Sequence, residues 1–333
     1  MVARATLDDV ARVAGVSRAT ASRALTGSGP ASELAQQKVR AAADELGFSP
    51  NQAARALASN RANAVALVIP EPNLLVLGDP FLGGVITGVS EAFRDTDYQL
   101  ILVIVRPGDE PTKAYRLLQS SVDGAIIASH HFTGLLELQM ERHAAPLVYV
   151  GRPWSVESAM YVDVDNVRVG YLAARRLLER GARHIACLAG PEDMSPVRDR
   201  LAGWIAALSE AGATPGPVAH VPFTLLDGAE AMGRLLAQDG SIDAVFAQSD
   251  LLAAGAVRVL QDHGRVVGRD VFVVGVDDSD LARNTTPQLT SVANPSSELA
   301  RRASQMLLRV LEDGTIAVEP EIIQPEIVCR ESA

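Results

Sequence analysis

The 333-residue chain is 48% apolar, 21% charged and only 4% aromatic, with a net charge of −10. The length suits two or more domains, the apolar fraction excludes a disordered chain, and no run approaches the roughly 18 uninterrupted apolar residues of a membrane span. The negative charge excludes less than it suggests, because residues 1–61 hold eight basic and five acidic residues (net +3) while 62–333 hold 22 and 35 (net −13), a small basic head on an acidic body.

The head opens without a hydrophobic signal core: Arg4, Asp8, Asp9 and Arg12 interrupt Met1–Val16, so a cytoplasmic protein is expected. Thr6-Leu7-Asp8-Asp9 is a helix-capping signature, with a Thr oxygen to take up the N3 amide and acidic side chains at the positive helix end. The helix it starts carries Leu7, Val10, Ala11 and Ala14 on one face and stops at Gly15. Ser17 caps a second helix, Arg18 to Leu25, and a third is expected from Ser32 to Leu46, with Leu34, Val39, Ala42 and Leu46 inward and Gly47 ending it. Two short amphipathic helices around a Gly-containing turn make a helix-turn-helix. The second helix offers Ser17, Arg18, Ala19, Thr20, Ser22 and Arg23: hydroxyls near a helix start suit phosphate oxygens, and Arg suits guanine edges or phosphates. A solvated surface helix is the plainer alternative.

The next segment, Asn51 to Asn60 (NQAARALASN), has one bulky apolar residue, Leu57, among alanines. A helix of about two turns is marginal in water, and a lone wedge among small residues suits a segment that folds on DNA and inserts Leu57 into the minor groove. Asn51, Ala54 and Arg55 join it as candidate DNA contacts. In the body, apolar β-branched runs alternate with helical stretches near 81–95 and 111–121: AVALVIP (64–70), YQLILVIV (98–105), DGAIIAS (123–129), PLVYVG, HIACLAG, IDAVFAQ and DVFVVGV. Such alternation implies parallel sheets covered by helices, and about 270 residues suit two of them. The first strand ends in Pro70-Glu71-Pro72 rather than G-x-G-x-x-G, and neither a phosphate loop, a G-x-S-x-G elbow nor a metal-ligand spacing is present, so an enzyme, a cofactor and a metal are not expected. Cys187 and Cys329, 142 residues apart in apolar runs, read as buried thiols.

TLDDVARVAGVSRATASRAL followed by LGFSPNQAARAL resembles the LacI-type family of bacterial repressors. The likeness continues through DPFLGGVITGV, SVDGAIIAS, YVDVDN, RHIACLAGP, RLAGW, AVFAQSD and VFVVGVDDSDLA, and so spans nearly the whole chain. It implies a small all-α helix-turn-helix head on an α/β two-lobed, periplasmic-binding-protein-like core. The implied divisions are residues 1–49 for the head, 50–61 for a hinge helix, and 62–333 for an effector-binding and dimerising core. Lobe one would take about 62–163 plus 293–322, and lobe two 164–292 plus 323–333.

Sites in such cores lie beyond the carboxyl ends of parallel strands, which picks out Asp79, Phe81, Ser129, Arg152, Ser249 and Asp277. By the resemblance, Arg200, Asp277 and Phe223 are the central effector residues: a guanidinium, a carboxylate and a stacking aromatic. Asp277 could instead cap a helix at the DDSD turn, Phe223 could be lobe packing, and Trp154 could be sugar stacking or exposed packing. His130 and His131 read as solvated loop residues rather than the cleft entrance. The chain departs from the family at Ser249, usually Asn, and at Gly151, often Asp. GRPW (151–154), YVDVDN and PEDMSPVRDRLAGW are most similar to repressors of cellobiose-like oligosaccharide uptake.

The expected function is therefore a repressor released from double-stranded, pseudo-palindromic operator DNA by a small sugar, a cello-oligosaccharide or other β-glucoside. A non-sugar or corepressor ligand, or a sugar receptor without a DNA function, are the alternatives. One head makes too few base contacts for a specific site, so a homodimer is expected, with no leucine heptad after Cys329 to build a tetramer, no membrane partner and no cofactor.

Overall fold

A computed structural model describes residues 5–26, 30–48, 61–106, 121–131, 145–154, 159–314 and 319–333. The chain forms two units, Met1–Asn63 and Ala64–Ala333. Among its described residues the first forms three helices, α1 Leu7–Ala14, α2 Arg18–Thr26 and α3 Glu33–Glu45. Thr6 and Asp9 make a reciprocal capping box: Thr6 Oγ1 accepts from the Asp9 amide at 3.3 Å and Asp9 Oδ2 accepts from the Thr6 amide at 3.0 Å. Gly15 then ends α1 at φ 65°, a left-handed turn that glycine adopts without strain. Ser17 Oγ takes up the Thr20 amide at 3.1 Å and Ser32 Oγ the Ala35 amide.

Val10, Ala11, Ala14, Ala21, Ala24, Val39, Ala42 and Ala43 close one small core. Leu34 does not join it and is 62% exposed. Five residues before Val39 at 100° each, it points about 140° away from that side chain, which corrects the expected inward position.

The second unit holds two six-stranded sheets. The first contains β1 Ala64–Ile69, β2 Gln99–Ile104, β3 Gly124–Ala128, β4 Leu147–Val150, β5 Met160–Val164 and β11 Glu321–Ile323, in the order β11-β5-β4-β3-β1-β2 and parallel throughout. The second contains β6 Ile185–Ala189, β7 Val218–His220, β8 Ala244–Ala247, β9 Phe272–Asp277, β10 Thr290–Ala293 and β12 Ile327–Val328. Its order is β12-β10-β9-β8-β6-β7, with only β12 antiparallel. β1, β3, β6 and β8 are buried along their whole length, which is why their sequences are unbroken apolar runs rather than alternations.

The chain passes between sheets three times: after β5 into the helix Asn166–Glu179, after β10 into the helix Ser296–Asp313, and from β11 to β12. Close helix packing fixes the second lobe. A Cβ on Gly170 would lie 1.8 Å from the Arg200 carbonyl oxygen, and one on Gly203 would lie 1.8 Å from that of Val167, so the helix Ser195–Glu210 sits backbone-to-backbone against Asn166–Glu179. That contact sets the depth at which Arg200 enters the space between the sheets. Trp204, one turn further along, is fully buried behind it.

Cys187 is buried on β6 as expected, whereas Cys329 is exposed; it follows the two-residue edge strand β12, which has no outer neighbour among the described strands. Among the described residues no helix is long and apolar enough to cross a membrane.

Candidate functional site

The carboxyl ends of both sheets face a common cavity of about 660 Å³, open solvent included. Sheet one contributes Asp79 and Phe81 beyond β1, Ser129 and His130 beyond β3, Gly151 beyond β4 and Asp163 at the end of β5. From the second sheet come Arg200, Phe223, Gln248, Ser249, Asp277 and Asn294. Seven of the eight residues expected at the effector site thus gather here.

Asp79 begins the helix Pro80–Phe93, where its Oδ1 accepts from the Phe81 amide at 2.9 Å. Burial pushes its carboxyl up to about 6, against that hydrogen bond. Asp163 accepts from the Arg152 and Val164 amides at 2.9 and 2.8 Å and from Asn166 Nδ2 at 3.0 Å, yet burial still raises it to about 6. Arg200, 5% exposed, gives its Nε to Asn166 Oδ1 at 2.8 Å and its Nη1 to the Gln248 carbonyl at 2.7 Å. Burial draws its pKa down, while Asp277, Asp163, Asp199 and Asp79 oppose that.

Asp277 ends β9 at φ 108°, a conformation unusual for a residue with a side chain. Burial and the neighbouring Asp250 carboxyl raise its pKa well above the usual range, and Arg200 works the other way. Asn294 Nδ2 donates to its Oδ1 at 3.0 Å. The helix Asp280–Asn284 begins after Ser279 without any side-chain cap, so Asp277 is not the cap of that turn. Phe223 lies where a Cβ on Gly190 would meet its ring at 2.1 Å; only glycine at 190 leaves room for it. Ser249 spends its hydroxyl acceptor on the Leu252 amide at 3.2 Å, capping the helix Asp250–Asp262.

Arg152 departs from expectation. Its guanidinium does not line the cavity; Nη2 donates to Asp199 Oδ2 at 2.6 Å, drawn aside by a carboxylate of the other lobe. What it supplies is its carbonyl, which accepts from Ser195 Oγ at 2.5 Å and lies 3.0 Å from His130 Nε2.

His130 was expected in solvent and is 3% exposed, packed edge-on against Tyr149 at 5.6 Å. Burial lowers its pKa to about 4, so the ring is neutral. Nε2 must then carry the hydrogen for the Arg152 carbonyl, and Nδ1 is left as an acceptor without a partner among the described residues. His131, also expected in solvent, is held between Glu71 and Asp193. Trp154 donates Nε1 to the Asp193 carbonyl at 3.0 Å, with the Arg198 guanidinium 4.6 Å over its ring.

Sequence reasoning missed Asp163, Gln248 and Asn294. The first is the penultimate residue of a strand and the other two follow strands, positions that could have flagged them; nothing local distinguishes them from polar residues that merely end a strand.

In the head, Thr6, Ser17, Arg18, Ala19 and Arg23 are exposed and Thr20 and Ser22 half-buried, while Ala21 and Ala24 point inward. Helix α2 therefore shows its basic, hydroxyl-bearing face to solvent. Arg18 lies 3.4 Å from Asp8, a surface pair, and Arg23 Nε donates to the Ala19 carbonyl. Asn51, Ala54, Arg55 and Leu57 lie outside the described residues.

Residues 6–51 match the family model for bacterial regulatory proteins of the lacI family, and residues 174–333 match a periplasmic binding protein-like domain. The chain is 38% identical to the HTH-type transcriptional regulator CelR of Thermobifida fusca, over 99% of this chain and 98% of that one. It is 31% identical to the regulator DegA of Bacillus subtilis over 99% and 98%. Among solved structures it resembles the CelR–cellobiose complex, at 37% identity, TM-score 0.79 and coverage of 99% and 100%. The lac repressor dimer bound to operator and the anti-inducer ONPF, at 23% identity, TM-score 0.87 and coverage of 99% of each chain, shares the fold. The chain belongs to the lacI family of bacterial regulatory proteins and is a DNA-binding transcriptional regulator.

Proposed function

We propose that the chain is a cytoplasmic repressor that holds a pseudo-palindromic operator as a homodimer and is released by a neutral β-linked gluco-oligosaccharide, with cellobiose as the leading candidate. The observation that carries this is the cavity: Asp79, Asp163 and Asp277 around Arg200, the one cation among the described residues lining it, with Phe81 and Phe223 beside them. Carboxylates accept from sugar hydroxyls, aromatic rings cover the apolar face of a pyranose, and the guanidinium keeps the carboxylates from repelling one another. The likeness to CelR, whose complex with cellobiose is known, extends over the whole chain. Nothing in the reading calls for catalysis.

Residues 1–49 read DNA, 50–61 form the hinge with Leu57 as its minor-groove wedge, and 62–333 bind effector and dimerise. Within the core, lobe one is about 62–163 plus 293–322 and lobe two 164–292 plus 323–333. In this reading Arg18 and Ala19 of helix α2 meet base edges, Thr20, Ser22 and Arg23 with the preceding Ser17 meet phosphates, and Thr6 at the start of α1 and Asn51, Ala54 and Arg55 along the hinge are further contacts. Effector drawn between the lobes by Asp79, Phe81, Ser129, Arg200, Phe223, Ser249 and Asp277 closes them and removes the geometry in which paired hinges grip DNA. By linkage, operator DNA weakens effector binding by the same factor.

Fluorescence anisotropy of a fragment from upstream of the gene tests this, with and without mono- and disaccharides. Specific binding reversed by cellobiose is expected. A phosphorylated or uronic sugar should fail at tenfold higher concentration, because it brings an anion to a cavity where the described residues supply three carboxylates and one occupied cation. Release by an anionic sugar, or tighter operator binding with cellobiose, contradicts the proposal. In the same titration Gly190→Ala is expected to weaken cellobiose binding and to lower stability by about 1–3 kcal/mol, since its methyl displaces the Phe223 ring. Urea unfolding gives the second number.

A further inference from the structure

One imidazole joins the two lobes. His131, three residues past β3, and Glu71, two past β1, stand at the carboxyl edge of sheet one; Asp193, four past β6, stands at that of sheet two. His131 Nε2 is 3.0 Å from Glu71 Oε1, and His131 Nδ1 is 2.9 Å from Asp193 Oδ1. Both ring nitrogens thus face carboxylate oxygens, whereas a neutral imidazole has one N–H and would set a lone pair against one of them. The arrangement is satisfied by the imidazolium, which donates on both sides. Ser129 Oγ donates to the same Glu71 oxygen at 2.6 Å and fixes that carboxylate.

We propose that His131 is a positioning residue of the effector cleft: as imidazolium it clasps Glu71 of one lobe to Asp193 of the other and so favours the closed form. Opening takes Asp193 away and leaves the ring with Glu71 alone, so closing the lobes takes up a proton wherever the open form has lost it.

The charged groups around the ring are consistent with this role. Among the described residues Glu71 and Asp193 face it directly. His130 beside it is neutral, and Arg152 is bound to Asp199. Burial depresses the His131 pKa, but the hydrogen bonds it donates to Glu71 and Asp193 outweigh that and raise it to about 9. A histidine raised in the closed form favours closure at neutral pH and below, and that contribution is lost as pH rises toward 9. Three further contacts between the lobes, Arg152 with Asp199, Ser195 with the Arg152 carbonyl and Trp154 with the Asp193 carbonyl, donate from groups that do not titrate there.

The test uses the full-length chain labelled at histidine Cε1. The resonance that disappears in His131→Gln identifies the ring, and its titration is followed in wild type and in Asp193→Asn. A wild-type midpoint well above 6.5, lowered by at least one pH unit in Asp193→Asn, is expected. A midpoint near 6.5 that Asp193→Asn does not move overturns the clasp.

A second arm, which rests on the proposed function, measures cellobiose Kd between pH 7 and 9.5. Weakening by up to about tenfold per pH unit is expected in wild type, with a flat profile in His131→Gln. A flat wild-type profile beside a raised midpoint overturns the positioning role. No cellobiose binding at any pH overturns the effector reading alone, and the first arm still decides the clasp.

Discussion

Arg200→Leu is expected to abolish sugar-driven release from the operator and to destabilise the core by about 3–5 kcal/mol. Its guanidinium is buried, and three things are lost at once. Asn166 Oδ1 and the Gln248 carbonyl lose their donors at 2.8 and 2.7 Å, each an uncompensated buried acceptor. Asp79, Asp163 and Asp277 lose the only cation among the described residues lining the cavity. The ligand, in the proposed reading, loses a central donor.

The pH dependence of the loss separates the electrostatic part from the packing part. With Arg200 gone, the carboxyls that burial already raises are driven higher still, so protonating them relieves the variant more than the wild type. The stability deficit should therefore be smaller at pH 5 than at pH 8. Urea unfolding at both pH values gives it directly; an equal deficit at both would mean that lost hydrogen bonds, not repulsion among the carboxylates, dominate. Arg200→Lys should not restore function, because a single ammonium on a flexible stem cannot reproduce the planar fork that reaches Asn166 and Gln248 together.

What could be read from the sequence follows the range of the forces involved. The head was legible because its determinants are local. Thr6 with Asp9, Gly15, Ser17 and Ser32 each act on the backbone within four residues, and the structure places the three helices at those signals. The two sheets were legible because fully buried parallel strands must be apolar throughout. The cavity was partly legible, since strand ends in such sheets point to it whatever their sequence. Arg152 illustrates the limit. It stands at a strand end, but where its side chain goes depends on Asp199, 47 residues away on the opposite lobe.

His130 and His131 show the same limit from the other side. Adjacent and polar, they read as solvent-facing, yet one is buried against Tyr149 and the other is caught between carboxylates from two lobes. Leu34 was misplaced for a simpler reason: five residues before Val39, it is about 140° out of phase with that side chain.

Asp277→Asn is expected to weaken effector binding by roughly 10–150-fold, the value of a hydrogen bond to a charged acceptor at about 1.5–3 kcal/mol, while operator affinity without effector stays as in wild type. Asparagine is the informative replacement. Position 277 sits at φ 108°, where Ala adds strain and Asn is better tolerated, and an amide oxygen can still accept from Asn294. The change therefore removes charge and little else.

Its effect on stability has the opposite sign. Burial raises the Asp79, Asp163, Asp250 and Asp277 carboxyls together, so ionising them works against the ligand-free fold. A carboxyl raised in the folded state lends stability that is complete below its unfolded pKa and is lost as pH climbs through the folded one. For Asp79 and Asp163 that window runs from about 4 to about 6. Neutralising Asp277 takes away one repelling neighbour of Asp250 and Asp79, so the variant should lose less stability across that window and match or exceed wild type at pH 7.5. Thermal unfolding at pH 4.5 and 7.5 measures both limits. A variant that is less stable at pH 7.5 and still responds fully to sugar would give Asp277 a purely structural role. A variant that is stable and unresponsive would mean that the cavity keeps a carboxylate there, against the stability of the empty fold, for the ligand it has yet to receive.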